Sequence, residues 1–372
     1  MKKKLDIETL LTAEELGPHG SINVPVYLSS TFGFPSVQDA ADAFSGNSSA
    51  HVYARLSNPT TDVFEEKMAE IECGEGGLAF ASGMAAIHAV IMATCKPGDK
   101  ILCVEEVYGG THELLKTLVK DLGISVRTFK PDLSNLFVCP KTKLVFAESP
   151  TNPSLHTVRL KKLYTRVRGR APVVVDNTFA TPIIQRPLED ASADIVLHSC
   201  TKYVCGHGDL IGGVVVSKNL ELHNKIKHIR TVSGGIMSPF VAYLCLRGLK
   251  TLALRMNRHE KNASALSRLF HRHKGVVKKV HYPGFGGMIS IDLGAREKAG
   301  EFASYLKVPV VAVSLGETRT LINVPSCMTH STYTEEELRA VGISPGLVRI
   351  STGIEATHDL TDDFGQALGR LR

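Results

Sequence analysis

The chain has 372 residues, 43% hydrophobic and 22% charged, an ordinary balance for a globular protein with a full core. Single cores stop growing at about 250–300 residues, so this length predicts two domains. The net charge of +6 comes from scattered lysines and arginines. With no Trp and no basic–aromatic interleaving, it argues against nucleic-acid binding and for a mildly positive surface or a site for anions.

Eight cysteines are dispersed without a CxxC pair, which fits neither a metal site nor a disulfide framework; free thiols in a reducing compartment are expected. The start, Met1-Lys2-Lys3-Lys4, resembles a signal peptide, but Asp6, Glu8, Glu14 and Glu15 interrupt any apolar stretch. No apolar run reaches the roughly 18 residues of a membrane span, so a soluble, cytoplasmic protein is expected.

Residues 1–50, rich in Pro, Ser, Gly and Asn, read as an N-terminal arm. Residues 51–235 alternate helices with short β-branched runs. Helices are predicted over 61–71, after the Asn58-Pro59 turn, over 82–94 and over 110–122. Strands are predicted over 100–104, 124–129, 143–147, 172–175, 194–198 and 213–216. Short apolar strands between helices predict an α/β fold with a mostly parallel sheet covered on both faces. In residues 236–372, the stretch 240–270 is helical in composition, 288–293 alternates like a half-exposed strand, and 308–314 and 347–351 add two strands. A smaller α+β C-terminal domain with an antiparallel sheet fits that pattern.

Four segments carry candidate chemistry. Lys202 follows the apolar run Ile195-Val196-Leu197 and is flanked by Ser199 and Thr201. It is either a strand-end lysine snorkelling to water or an amine meant to lose its proton and form an imine. Asp176 ends the run Val173-Val174-Val175, where α/β sheets place ligands; it either caps the next helix or pairs with the ring nitrogen of a pyridine cofactor. The small-residue turn at Ser82-Gly83-Met84 opens a helix whose N–H groups could hold an anion, and Tyr108 sits at another strand-to-helix junction. Tyr53 and Arg55, two apart in an irregular stretch, point the same way and form either a surface turn or a phosphate clamp.

From about Gly20 onward the chain resembles the Cys/Met-metabolism family of pyridoxal 5′-phosphate (PLP) enzymes, which includes cystathionine γ-synthase, cystathionine γ-lyase and methionine γ-lyase. The motifs include Tyr53-x-Arg55-x-x-Asn58-Pro59-Thr60, Ser82-Gly83-Met84-Ala85, Tyr108-Gly109-Gly110-Thr111 and Glu148-Ser149-Pro150-Thr151-Asn152-Pro153. They continue with Asp176-Asn177-Thr178, Ser199-x-Thr201-Lys202-Tyr203, Ser314-Leu315-Gly316, Met328-Thr329-His330 and Leu347-Val348-Arg349-Ile350-Ser351. The resemblance implies a PLP-dependent transferase-like fold (fold type I), with Lys202 as Schiff-base lysine and proton shuttle. It implies that Tyr108 is catalytic as well as cofactor-binding, stacking on the ring and helping to deprotonate the incoming amine, and that Asp176 pairs with the ring nitrogen. Gly83, Met84, Ser199 and Thr201 then hold the phosphate, joined by Tyr53 and Arg55 from a neighbouring subunit of a homodimer or homotetramer. Arg349 grips the substrate carboxylate, with Asn152 and Ser314 orienting cofactor and substrate. The implied reaction is α,γ-elimination of methionine or cystathionine; γ-replacement on an O-acylhomoserine is the alternative.

Three departures from the family pattern stand out. The connections before Pro140 and between Gly284 and Met288 are short, Arg319 takes a place where many relatives carry an acid, and Gly110 stands where typical methionine γ-lyases have a cysteine. An arginine at 319 is expected to disfavour the distal ammonium of cystathionine. A nicotinamide oxidoreductase is disfavoured because no G-x-G-x-x-G turn follows a first strand. A catalytically silent binding protein is disfavoured by the presence of Lys202, Asp176, Tyr108 and Arg349 together.

Overall fold

The computed structural model describes residues 5–14, 16–328, 336, 338 and 343–371. Seven strands form the larger sheet: β1 (Gly76–Phe80), β2 (Lys100–Val104), β3 (Ser125–Phe129), β4 (Thr142–Glu148), β5 (Val173–Asp176), β6 (Ile195–Ser199) and β7 (Gly213–Ser217). Their order is β1-β7-β6-β5-β4-β2-β3. β7 runs antiparallel to both neighbours, and the other pairs are parallel. All of β5 and β7 is buried, which explains why their valines run without polar alternation: helices cover both faces. The mostly parallel α/β sheet expected from the sequence is present.

The second sheet has the order β10-β11-β12-β9-β8, built from β8 (Lys279–His281), β9 (Met288–Asp292), β10 (Val310–Val311), β11 (Leu321–Asn323) and β12 (Leu347–Ser351). It is antiparallel except for the β10–β11 pair. Its own core joins Ile289, Ile291, Val348 and Ile350 to Phe270, Phe302 and Phe364 on the flanking helices. No helix among the described residues is long and apolar enough to cross a membrane.

Several expectations need correction. The helix over 110–122 is two helices, Gly109–Lys116 and Leu118–Asp121, broken at Thr117, whose φ of −107° and ψ of −91° are not helical. The stretch 240–270 likewise divides into Pro239–Leu249 and Leu252–Arg272, interrupted near Thr251. β9 is buried rather than half-exposed, because Ser290 turns toward the loop after β4 and donates to the Pro153 carbonyl at 3.0 Å. The strand expected over 308–314 shrinks to Val310–Val311, since the chain then leaves the sheet and its Val313 and Ser314 carbonyls accept from Arg349. The N-terminal arm is partly packed: Leu10 and Leu11 on the helix Ile7–Thr12 are buried, and Lys67 donates to the Leu10 carbonyl. By contrast Leu28, Val37 and Phe44 are exposed.

Candidate active site

Lys202 lies in the turn that follows β6. Its N–H donates to the Ser199 carbonyl at 3.1 Å, and its own carbonyl accepts from Gly206 at 2.8 Å. Arg255 clamps this turn from the helix Leu252–Arg272, donating to the carbonyls of Tyr203 at 2.7 Å and Gly248 at 2.8 Å. The Lys202 amine points inward and donates to Ser314 Oγ at 2.9 Å. Burial first, then the nearby Arg349 charge, lowers its pKa to about 8. The amine thus turns to a serine hydroxyl instead of snorkelling out to water.

Two carboxyls end adjacent strands. Asp176 closes β5 and Glu148 closes β4, paired in register. Asp176 Oδ1 accepts the Thr178 N–H at 3.0 Å; burial raises the Asp176 pKa, opposed by bonds from Thr178 and by His198. Glu148 Oε2 accepts the N–H of Tyr108 at 2.8 Å. Asp176 therefore braces its own turn and does not cap the next helix, Thr181–Ile184, whose N-cap is Ala180 without a side-chain bond; its carboxyl stays at the strand ends. Next to it in the chain, Asn177 donates to Glu72 at 3.1 Å, and Glu72 bonds the buried His198.

The turn at 82–84 is a cradle. Ser82 Oγ accepts the N–H of Ala85 at 3.0 Å, which caps the helix Gly83–Thr94. The N–H groups of Gly83 and Met84 have no such partner among the described residues. A Cβ at Gly83 would meet Ser199 Cβ at 3.1 Å, and one at Gly213 would collide with the Ser82 carbonyl, so glycines let the turn and strand ends approach. Thr201 Oγ1 accepts from the Gly212 N–H at 3.1 Å and donates to the Gly212 carbonyl at 3.3 Å, tying it to the same edge.

Arg349 rises from the middle of β12. It donates to Asn152 Oδ1 at 3.0 Å and to the Val313 and Ser314 carbonyls at 3.2 Å. Burial lowers its pKa to about 10, so it stays charged at neutral pH. Tyr108, 49% exposed, stands before the helix Gly109–Lys116. A Cβ at Gly110 would meet its ring at 2.5 Å and Met84 Sδ at 3.1 Å, which brings Tyr108, Gly110 and Met84 together.

Tyr53 and Arg55 stand apart from this group. The Arg55 guanidinium lies 5.6 Å from the Tyr53 ring centroid and donates to the Thr231 carbonyl at 2.8 Å. No hydrogen bond among the described residues joins either of them to Lys202, Asp176 or Ser199. Thr329 and His330, from the Met328 motif, lie outside the described residues. The short connection before Met288 is a tight link in which Gly286 donates its N–H to Glu260 at 2.8 Å. Sequence reasoning assigned no role to Glu148 or Arg255. Glu148 stood inside a quoted motif at a strand end; Arg255 is a helical arginine with no local signal.

These residues fit PLP on the structure's own terms. A half-buried amine whose pKa burial lowers to about 8 can bond an aldehyde, a strand-end carboxyl can face a ring nitrogen, and the Gly83 cradle offers free N–H groups to a phosphate. Buried Arg349 Nε has no partner among the described residues, leaving a donor for a bound anion. Fold and site together define a PLP-dependent enzyme.

Comparison with known proteins specifies the family. The model described as "Cys/Met metabolism PLP-dependent enzyme" matches residues 8–369. The chain is 41% identical to an L-methionine gamma-lyase of Pseudomonas putida, covering 94% of this chain and 93% of that one. It is 39% identical to a cystathionine gamma-lyase of Bacillus subtilis over the full length of both. Among solved structures, cystathionine gamma synthase from Xanthomonas oryzae pv. oryzae, in complex with aminoacrylate and cysteine, superposes with a TM-score of 0.90 at 35% identity over 99% of both chains. The chain belongs to the Cys/Met-metabolism family of PLP-dependent enzymes.

Proposed function

We propose that the protein is a carbon–sulfur γ-lyase that converts methionine or cystathionine, with water, into 2-oxobutanoate, ammonia and a thiol. The observation that carries this reading is the Lys202 amine, held against Ser314 beside the Arg349 fork. A proton acceptor beside a group suited to an amino acid's α-carboxylate supports this chemistry. Bound PLP supplies the electron sink that makes protons on the substrate's α and β carbons removable.

In this reading Lys202 Nζ would hold the cofactor and would move protons among the substrate's α, β and γ carbons. Ser314 Oγ aims that nitrogen. Asp176 keeps the ring nitrogen protonated, and Tyr108 covers the ring. Gly83, Met84, Ser199 and Thr201 hold the phosphate, while Asn152 steers Arg349 onto the carboxylate. Tyr53 and Arg55 complete the phosphate site of a second copy in a homodimer or homotetramer. Their exposed position, and the exposed Leu28, Val37 and Phe44 on the same segment, support that assignment. We place the enzyme in the cytoplasm on the strength of its free thiols.

Elimination is preferred because the relatives at 39–41% identity carry lyase names. Replacement on an O-acylhomoserine, yielding cystathionine or homocysteine, is favoured by the close superposition on a γ-synthase. Incubation with methionine, cystathionine and O-acetylhomoserine separately, with assay of 2-oxobutanoate, thiol and ammonia, decides between them. Keto acid from a thioether without added thiol is expected, and its loss in Lys202→Ala. No keto acid from either thioether, with thiol-dependent consumption of O-acetylhomoserine, overturns the lyase reading.

A further inference from the structure

Glu148 is a buried carboxyl to which the proposed reaction gives no task. It ends β4 directly opposite Asp176 at the end of β5, so both side chains leave the same face of strands about 4.8 Å apart. Glu148 is 4% exposed and Asp176 8%. Two carboxylates this close, out of water, cannot both keep their charge cheaply.

The surroundings divide the roles unequally. Asp176 Oδ1 accepts the Thr178 N–H, and the Thr178 hydroxyl lends a second bond. Glu148 Oε2 accepts the Tyr108 N–H, but Oε1 is buried with no partner among the described residues. An ionised carboxylate with one bare oxygen in the interior is the costlier of the two. The other groups facing Glu148 are the Asn152 N–H from the loop after β4, Arg349 from β12 and the Cys103 thiol on β2, itself pushed up by burial and by Glu148. Burial and then repulsion from Asp176 raise the Glu148 pKa well above the ordinary range, against the pull of Tyr108, Asn152 and Arg349.

We propose that Glu148 is a positioning residue held as a neutral carboxylic acid, anchoring the Tyr108 junction while leaving Asp176 the single anion at the strand ends. Neutrality has a second consequence at Arg349. A charged Glu148 would compete with the substrate carboxylate for that guanidinium; an uncharged one leaves it for the ligand. The role of Asp176 as partner of the ring nitrogen rests on the function proposed above. The protonation of Glu148 does not, because Asp176, Tyr108 and burial act on it without a cofactor.

Infrared difference spectroscopy on protein prepared without PLP tests the protonation directly. The carbonyl stretch of a protonated carboxylic acid should be present in wild type and absent in Glu148→Gln. With PLP bound, the pH midpoint of the cofactor's visible absorption should stay in place in Glu148→Gln, because no charge is lost. Glu148→Ala should weaken PLP retention about tenfold by freeing the Tyr108 N–H, and Glu148→Gln should restore it. An acid band that survives in Glu148→Gln, or a midpoint that moves there by about a full unit, overturns the proposal. Should the protein bind no PLP, the function reading fails while the infrared band still decides the state of Glu148.

Discussion

The two sheets deliver functional side chains in different ways. The large, mostly parallel sheet presents its residues where strands end: Glu148 closes β4, Asp176 closes β5, Ser199 closes β6, and Lys202 follows in the next turn. The small antiparallel sheet presents Arg349 from the middle of β12, paired with Ser290 on one side and Asn323 on the other. At a parallel strand's end the backbone leaves its ladder, so a polar side chain finds turn N–H groups and space for a ligand. Mid-strand, the same charge must be satisfied by groups brought from elsewhere, here Asn152 and the chain at 313–314. The strand-end site tolerates local change; the mid-strand arginine depends on how the two sheets meet.

The largest effect in this comparison is therefore expected at Arg349. Replacing it with lysine keeps the charge but loses the fork, which donates to three acceptors and has Nε in reserve. Losing a buried, hydrogen-bonded charge contact typically costs about 2–5 kcal/mol, so KM should rise by roughly 30-fold or more. Steady-state kinetics should show this rise in KM with a smaller change in kcat. An unchanged KM would remove Arg349 from carboxylate binding.

A second, intermediate effect couples the sheets through charge. In the role proposed for it, Lys202 would bond the cofactor's aldehyde only as the unprotonated amine, and burial lowers its pKa to about 8. Capture of PLP by cofactor-free protein should accelerate about tenfold from pH 6 to pH 7 and flatten above about 8. Arg349 is the second cause of that lowering, after burial. Its positive charge disfavours the ammonium form, so Arg349→Met should raise the midpoint and slow capture at neutral pH. Stopped-flow absorbance against pH measures both; a midpoint near that of free lysine would sink the assignment.

The contrast also explains what could be read from the sequence. Asp176 and Lys202 were legible because a polar residue after an uninterrupted apolar run marks a parallel strand's end. Arg349, within Leu-Val-Arg-Ile-Ser, contradicts its strand's apolar pattern, and only family resemblance supplied a role. The strand expected over 308–314 stops at Val311: Val310, Val311 and Val313 all satisfy β propensity, but the Val313 carbonyl accepts from Arg349. Arg255 was illegible for a different reason. Its partners are backbone carbonyls at 203 and 248, to which any sequence contributes equally.

The smallest expected effect separates a cap that serves only its helix from one that also shapes a site. Ser82 caps the helix Gly83–Thr94 in the large-sheet region, whereas the helix Arg296–Tyr305 beside the small sheet begins at Ala295, extended and without a side-chain cap. Ser82→Ala should cost about 1 kcal/mol of stability, and Ala295→Ser should return a similar or smaller amount, both read from denaturant unfolding. Only the first should also reach the ligand. With Ser82 gone the Ala85 N–H is unpaired, the helix start frays, and the Gly83 and Met84 amides lose their fixed direction toward a phosphate. PLP should then bind several-fold more weakly to Ser82→Ala in equilibrium dialysis but with unaltered affinity to Ala295→Ser. Equal affinities in the two variants would mean that the cradle is held by the glycine packing of Gly83 and Gly213 alone.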